Sequence, residues 1–209
     1  MDNSPQLPPR RVIKVGGSLL DQADLPQRLR NWIAAQVPMA NLLIVGGGQP
    51  VDSLRQWDRL HGADQAAMHW LAIDAMSENA RLLSATLGDF PLVADLPADD
   101  SNADLSPGAI LDAGPLLRRE EQQQVAGRLP IGWEVTSDSI AARIAELTGS
   151  VELVLLKSTL PPAGASVSQL VANGYVDDWF QHAWTTGRLR CVDLRREQFP
   201  ERSYARGCV

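Results

Sequence analysis

Lysine is almost missing from this sequence. Of its 19 basic side chains, 17 are arginine and two are lysine, Lys14 and Lys157. A codon bias toward arginine accounts for the arginines, but not for where the lysines fall, each after an apolar strand-like run. Cysteine is equally scarce. Cys191 and Cys208 have no metal-ligand spacing and cannot make a disulfide framework, so a reducing, cytoplasmic setting is expected. No apolar run is long enough to cross a membrane. The first eleven residues are polar and proline-bearing, so no signal peptide is expected and residues 1–10 read as a flexible N-terminus. A net charge of -6 and a pI near 5.0 argue against a general nucleic-acid binder. The hydrophobic fraction of 44% and charged fraction of 21% are ordinary for a globular protein, and 209 residues suffice for one sizeable core.

What is present is organised around residues 12–20, Val-Ile-Lys-Val-Gly-Gly-Ser-Leu-Leu. This reads as a buried strand, a glycine turn with nothing in the way of a ligand, and a polar cap opening a helix. Free N–H groups and a helix dipole would then point at one spot, which suits a phosphate, and Lys14 would reach it as a compact cation. The same grammar returns at residues 42–50, Leu-Leu-Ile-Val-Gly-Gly-Gly-Gln-Pro. Gly16, Gly17 and Ser18 on one turn and Gly46, Gly47 and Gly48 on the other are the candidate phosphate-binding residues.

Between the turns, residues 25–37 show apolar positions 25, 29, 33 and 37 at helical spacing, ended by Pro38. A helix over residues 51–60 puts Arg55 and Arg59 on one face. That face either binds an acidic substrate or is solvated, with Asp58 as local partner. Asp64 caps a long helix to about residue 87 with Met68, Leu71, Ala72, Ala75 and Leu82 as its stripe. His69 lies near that stripe, as a packed or surface residue rather than a catalytic one, and Trp57 and Trp70 read as packing residues. Residues 92–94 and 109–111 read as short strands, 96–108 as a loop or lid, and 114–119 as a short helix. In residues 133–147, Thr136 or Ser137 caps a helix with Ile140, Ile144 and Leu147 inward, and Asp138 sits in its first turn. Such an acid serves the helix dipole whatever else it does. Residues 151–156 are then a strand delivering Lys157, Ser158 and Thr159 to its C-terminal end, where open α/β sheets place ligands. Residues 167–171 and 176–184 look helical, and 189–194 looks like a last strand. The alternation says α/β with a mostly parallel sheet. A dinucleotide-binding dehydrogenase is disfavoured, because Gly46-Gly47-Gly48 lacks the spaced Gly-x-Gly-x-x-Gly pattern.

Lys14-Val15-Gly16-Gly17-Ser18, then Gly46-Gly47-Gly48, then Thr136-Ser137-Asp138-Ser139-Ile140-Ala141 resemble, in order and spacing, the amino acid kinase family. The resemblance covers most of residues 12–157. It implies a three-layer α/β/α sandwich with a mostly parallel central sheet, forming a single domain over residues 11–209. Residues 11–130 would be an acceptor and phosphoryl lobe, and 131–209 a shortened nucleotide lobe. It implies an ATP-dependent kinase using Mg²⁺ carried on the nucleotide, with no metal ligands of its own, a small-molecule acceptor, no nucleic-acid or membrane partner, and a homo-oligomer. Lys14, Asp138 and Lys157 would be catalytic, with Asp138 holding the two ammonium groups rather than acting as a base. Arg55, His69, Thr136 and Ser137 would bind the acceptor, and Lys157, Ser158 and Thr159 the nucleotide. The runs 55–73 and 133–140 further resemble the branch of methanofuran biosynthesis, which phosphorylates an (aminomethyl)furan-methyl phosphate. An acidic amino acid or nucleoside monophosphate acceptor, or a non-catalytic ligand-binding member, stands as the alternative. The sequence departs from the family after the late strand, where Lys157-Ser158-Thr159-Leu160-Pro161-Pro162 replaces the usual Thr-Asp and Val-Asp-Gly turn. The lysine there is similar to that of uridylate kinases.

Overall fold

Unbroken runs of Val, Ile and Leu call for strands covered on both faces, and the runs before each lysine become the centre of a sheet. The computed structural model describes residues 9–96, 107–185 and 187–205. In it β1 (Arg10–Val15), β2 (Ala40–Val45) and β5 (Glu152–Lys157) lie side by side, with β1 and β2 buried throughout. β3 (Leu92–Val93), β4 (Ala109–Leu111), β6 (Arg188–Asp193) and β7 (Glu201–Tyr204) complete seven strands in the order β3-β4-β2-β1-β5-β6-β7. All neighbours are parallel except β6 and β7. β2 and β5 flank β1 on opposite sides, so a crevice opens at the C-terminal ends of these strands.

Helices cover both faces, as the three-layer expectation requires. Val12, Leu42, Ile44, Leu153 and Leu155 pack toward α4 (Ala113–Gln122), α5 (Ser137–Leu147), α6 (Val167–Ala172) and α7 (Phe180–Ala183). Ile13, Val15, Leu43, Val45, Val154 and Leu156 pack toward α1 (Leu25–Ala34) and the later half of α3 (Gln65–Leu87). α2 (Gly48–His61) lies on α3 at the mouth of the crevice and buries only Val51 fully. Among the described residues no helix is long and apolar enough to cross a membrane.

Several local expectations are corrected. Arg10 opens β1, so the N-terminal flexible segment does not extend to it; residues 1–8 lie outside the described residues, as do Cys208 and most of the 96–108 loop. Ser18 caps no helix. The first glycine turn runs into a single 3-10 turn, Gly17–Leu19, and α1 starts only where Pro26 fits its first turn. α1 ends at Ala34, leaving Val37 70% exposed while Trp32 takes the buried position. α3 buries Met68, Ile73, Met76, Ala80, Leu83 and Leu87, and its predicted stripe residues Leu71 and Leu82 face out. The cause is its succession of neighbours, α2, α4, β2 and α1, which rotates the buried face along 23 residues. Trp57 is exposed and lies against the tilted ring of His61, centroids 4.3 Å apart, so it is no core-packing residue. Leu147, on the α5 stripe, is 38% exposed. The helix expected over 176–184 shrinks to Phe180–Ala183, because Asp177 and Trp179 N are engaged by the segment leading into α5, through Thr136, Ser139 and Glu134 O. β6 is not the last strand. β7 follows antiparallel at the sheet edge, and its polar text, Glu-Arg-Ser-Tyr, is tolerable there because one side of an edge strand faces water.

Candidate active site

Strand alternation brings the lysines together. On β1, Val12 and Lys14 share a face, as do Leu153, Leu155 and Lys157 on β5, and Lys14 pairs in register with Leu155. Both ammonium groups therefore rise on the side covered by α5, near the crevice. Asp138, in the first turn of α5 and 4% exposed, stands between them. Its Oδ2 accepts a hydrogen bond from Lys157 Nζ at 2.9 Å, and its Oδ1 lies 3.0 Å from Lys14 Nζ. The Lys14 contact is a buried ion pair, with both side chains almost wholly shielded from water.

The glycine turns form the floor. Gly16 N donates to Leu156 O at 2.8 Å and Gly46 N to Val15 O at 2.9 Å, which carries the ladder up to the same height on both turns. The turns then touch. A Cβ on Gly17 would stand 2.3 Å from Gly48 N, and one on Gly46 2.7 Å from Gly17 N. Gly48 takes φ +58 and begins α2, whose first turn carries free N–H groups and no acid. The helix-terminus anion site expected after the first turn is thus supplied after the second. Gly17→Ala forces backbone apart, so it should destabilise the fold by about 1–3 kcal/mol, as overpacking does. Urea unfolding measures this, and an unchanged midpoint would show that the turns do not meet in solution.

A cleft of about 350 Å³ opens above this floor, lined by Lys14, Gly16, Gly17, Ser18, Gly47, Gly48, Ser137, Lys157, Ser158 and Thr159 among others. Ser18 Oγ donates to Ser158 Oγ at 3.2 Å, closing one rim. Away from the lysines the lining becomes apolar with Val51, Ile73, Met76, Trp133 and Val135, and carries Arg55 and His69. The Arg55 guanidinium lies 5.3 Å from the centre of the Trp133 ring and is steadied by Asp52 at 3.2 Å. Arg59 does not line this cleft, and Asp58 is no arginine partner: it accepts from Trp133 Nε1 at 2.7 Å and so braces the wall. His69 is buried against the Gly132 backbone, edge-on to Trp70 at 5.1 Å. Thr136 lines the cleft, but its hydroxyl is spent on Asp177 at 2.7 Å.

Burial lowers the Lys14 pKa from its ordinary 10.5, against the attraction of Asp138 and with added repulsion from Lys157. Burial pushes the Asp138 carboxyl up, yet the two ammonium groups prevail and hold it below its usual range. The centre thus sets two lysine side chains on either side of one carboxylate at the floor of the cleft. Burial lowers the His69 pKa, so at neutral pH it is an uncharged hydrogen-bonding group.

Three residues with no motif of their own hold this arrangement. Asn79, on α3, donates from Nδ2 to Gly46 O and Gly47 O at 2.9 Å each, tying both carbonyls away from the cleft. Asp177 and Tyr175, on the turn after α6, contact the N-terminus of α5 and Lys157. Among the described residues no group of three or more His, Cys, Asp or Glu is placed to hold a metal ion.

No family model matches the sequence. It is 25% identical to a uridylate kinase of Methanocorpusculum labreanum over 210 aligned positions, 93% of this chain and 83% of that protein. Among solved structures it resembles the UMP kinase of Bacillus anthracis with a TM-score of 0.60 and 14% identity, covering 91% of this chain and 89% of that one. It resembles the UMP kinase of Ureaplasma parvum with a TM-score of 0.58 and 15% identity, over 91% and 92%. The uridylate kinase of Archaeoglobus fulgidus aligns with a TM-score of 0.52 and 19% identity, over 83% and 84%. A likeness running the length of the chain, once in sequence and again in fold, gives this protein the fold that these uridylate and UMP kinases share.

Proposed function

We propose that this protein is an ATP-dependent phosphotransferase that moves the γ-phosphoryl group of ATP onto a small anionic acceptor. The observation that carries the reading is the buried pair of ammonium groups bridged by Asp138 above two abutting glycine turns. The transfer is direct and in line, driven by positioning and charge neutralisation rather than by a covalent intermediate. Lys14 bridges the moving group and the nucleotide, and Lys157 neutralises charge on the leaving side. Amides of Gly17, Gly47 and Gly48 donate to the equatorial oxygens, while that of Gly16 is already spent on Leu156 O. Asp138 is no base: both its oxygens face ammonium groups, and its work is to keep them charged and apart. Mg²⁺ would arrive on the ATP phosphates and neutralise charge there. In this division of labour most of the acceptor side comes from residues 11–130 and the nucleotide side from 131–209, with Trp133 and Val135 crossing over to the acceptor.

For the acceptor we propose a phosphate on a small planar body, of the (aminomethyl)furan-methyl phosphate kind. Arg55 suits the anionic group, and Ile73, Met76 and Trp133 suit an apolar ring. The uridylate kinases in the comparisons make a nucleoside monophosphate the second acceptor to test. Acceptor-dependent ADP release across phosphates, carboxylates and nucleoside monophosphates decides between them, and silence across the whole panel would sink the kinase reading. Arg55→Ala should raise the acceptor KM roughly tenfold to hundredfold, the worth of a charged hydrogen bond, with kcat little changed. A large fall in kcat at unchanged KM would move Arg55 out of the binding role.

A further inference from the structure

The turn joining α6 to α7 reaches the charged centre twice. Val176, 3% exposed, pins it into the core. On one side of Val176, the Tyr175 carbonyl accepts a hydrogen bond from Lys157 Nζ, and the Tyr175 ring centre lies 4.5 Å from the same ammonium. The Tyr175 hydroxyl donates to Thr159 O at 3.1 Å, which ties the loop after β5 to the turn. On the other side, Asp177 Oδ2 accepts from Thr136 N at 3.0 Å, Thr136 Oγ1 at 2.7 Å and Ser139 N at 3.0 Å. Its Oδ1 accepts from the Ser139 hydroxyl. Asp138 lies between those anchored residues in the chain, so Asp177 sets where the bridging carboxylate stands.

We propose, on the reading that this cleft transfers phosphoryl groups, that Tyr175 and Asp177 are positioning residues that hold Lys157 and Asp138 in register from the two ends of one turn. A helix cap alone would not need this residue. Asn or Ser would serve the two backbone N–H groups without burying a second charge, and among the described residues Asp177 has no ion-pair partner. What a carboxylate adds is negative charge near Lys14, which favours the ammonium form. Lys14 is faced by Asp138 of α5, Lys157 of β5 and Asp177 of the turn, with Asp52 and Arg55 of α2 farther along the cleft. The charge is held at a cost: burial first, then the nearness of Asp138, raises the Asp177 pKa against its Ser139 and Thr136 hydrogen bonds.

Two lysines in the whole chain make a direct test available. Lysine-selective isotope labelling of the full-length protein yields one side-chain NMR signal per ammonium, assigned with Lys157→Arg. In Asp177→Asn the Lys14 titration midpoint should move to lower pH, and kcat should fall by about a hundredfold, the scale of a misplaced catalytic group. The KM for Mg-ATP should move far less. Tyr175→Ala should shift the Lys157 signal and leave the Lys14 midpoint near the wild-type value. Ser139→Ala removes one donor and keeps the charge. It should lower kcat with the Lys14 midpoint held, and it stands in where Asp177→Asn does not fold. A wild-type Lys14 midpoint and wild-type kcat in Asp177→Asn overturn the proposal; if that variant is unfolded, an unmoved Lys157 signal in Tyr175→Ala together with wild-type kcat in Ser139→Ala overturns it. If the wild-type protein releases no ADP with any acceptor, the kinase reading fails separately, and the lysine titrations still decide the positioning.

Discussion

Replacing Lys14 by alanine should lower kcat at least about a hundredfold in a protein that still folds. The size follows from the role: one preorganised charge-stabilising group is worth about 2.7–4 kcal/mol of transition-state binding where water is excluded. The Lys14 side chain is 7% exposed and meets the cleft. Folding survives because Asp138 keeps its second partner, Lys157, at 2.9 Å, so no carboxylate is left bare. Lys14→Arg should not rescue turnover, since a planar guanidinium cannot occupy a point-charge site between a strand and α5. The wild-type pH profile supplies a companion result. Transfer needs Lys14 charged, and burial has lowered its pKa below 10.5, so kcat should decline on the alkaline side before an ordinary lysine would titrate. That limb should vanish in Lys14→Ala. Steady-state ADP release with a productive acceptor measures both, and near-normal kcat in the variant would falsify the catalytic assignment.

The centre was legible in the sequence because each of its parts obeys a local rule. Lys14 and Lys157 both end apolar runs, which places them at strand ends; period-two alternation then puts both on one face. Asp138 follows Thr136 and Ser137 at a helix start, and three glycines after an apolar run announce a turn. What was illegible acts across long chain distance and through main-chain atoms. Asn79 reads as one more polar residue in α3, yet it fixes two carbonyls more than thirty residues away. Asp177 looks like a turn acid, and nothing local says that it meets Thr136 and Ser139. The missed β7 and the rotated stripe of α3 have the same origin. Edge position and a changing set of neighbours override the local pattern. Arg55 and Arg59 show the limit of helical spacing: one face was predicted for both, but only Arg55 lines the cleft.

Asp138→Asn should cost more than Lys14→Ala in both stability and turnover, and the stability loss should depend on pH in a definite direction. The substitution leaves two buried ammonium groups facing each other with their shared counter-charge gone. Breaking a buried pair in this way costs about 3–5 kcal/mol, because the remaining charge is uncompensated. Lys14 then has desolvation and Lys157 repulsion acting on it without its chief support, so its folded-state pKa drops further below 10.5. In the unfolded chain it still titrates near 10.5. Between those two values the unfolded state binds more protons, and stability therefore rises with pH. The gap in unfolding free energy between wild type and Asp138→Asn should accordingly be widest near neutrality and narrow as pH climbs, since the variant sheds its uncompensated proton first. Turnover should not return with it, because the neutral amine that relieves the fold cannot neutralise a phosphate. Urea unfolding and ADP release from about pH 7 to about pH 9 follow both quantities across the onset of lysine titration. A gap that stays constant over that range would mean the two ammonium groups do not depend on Asp138, and the bridged centre would have to be abandoned.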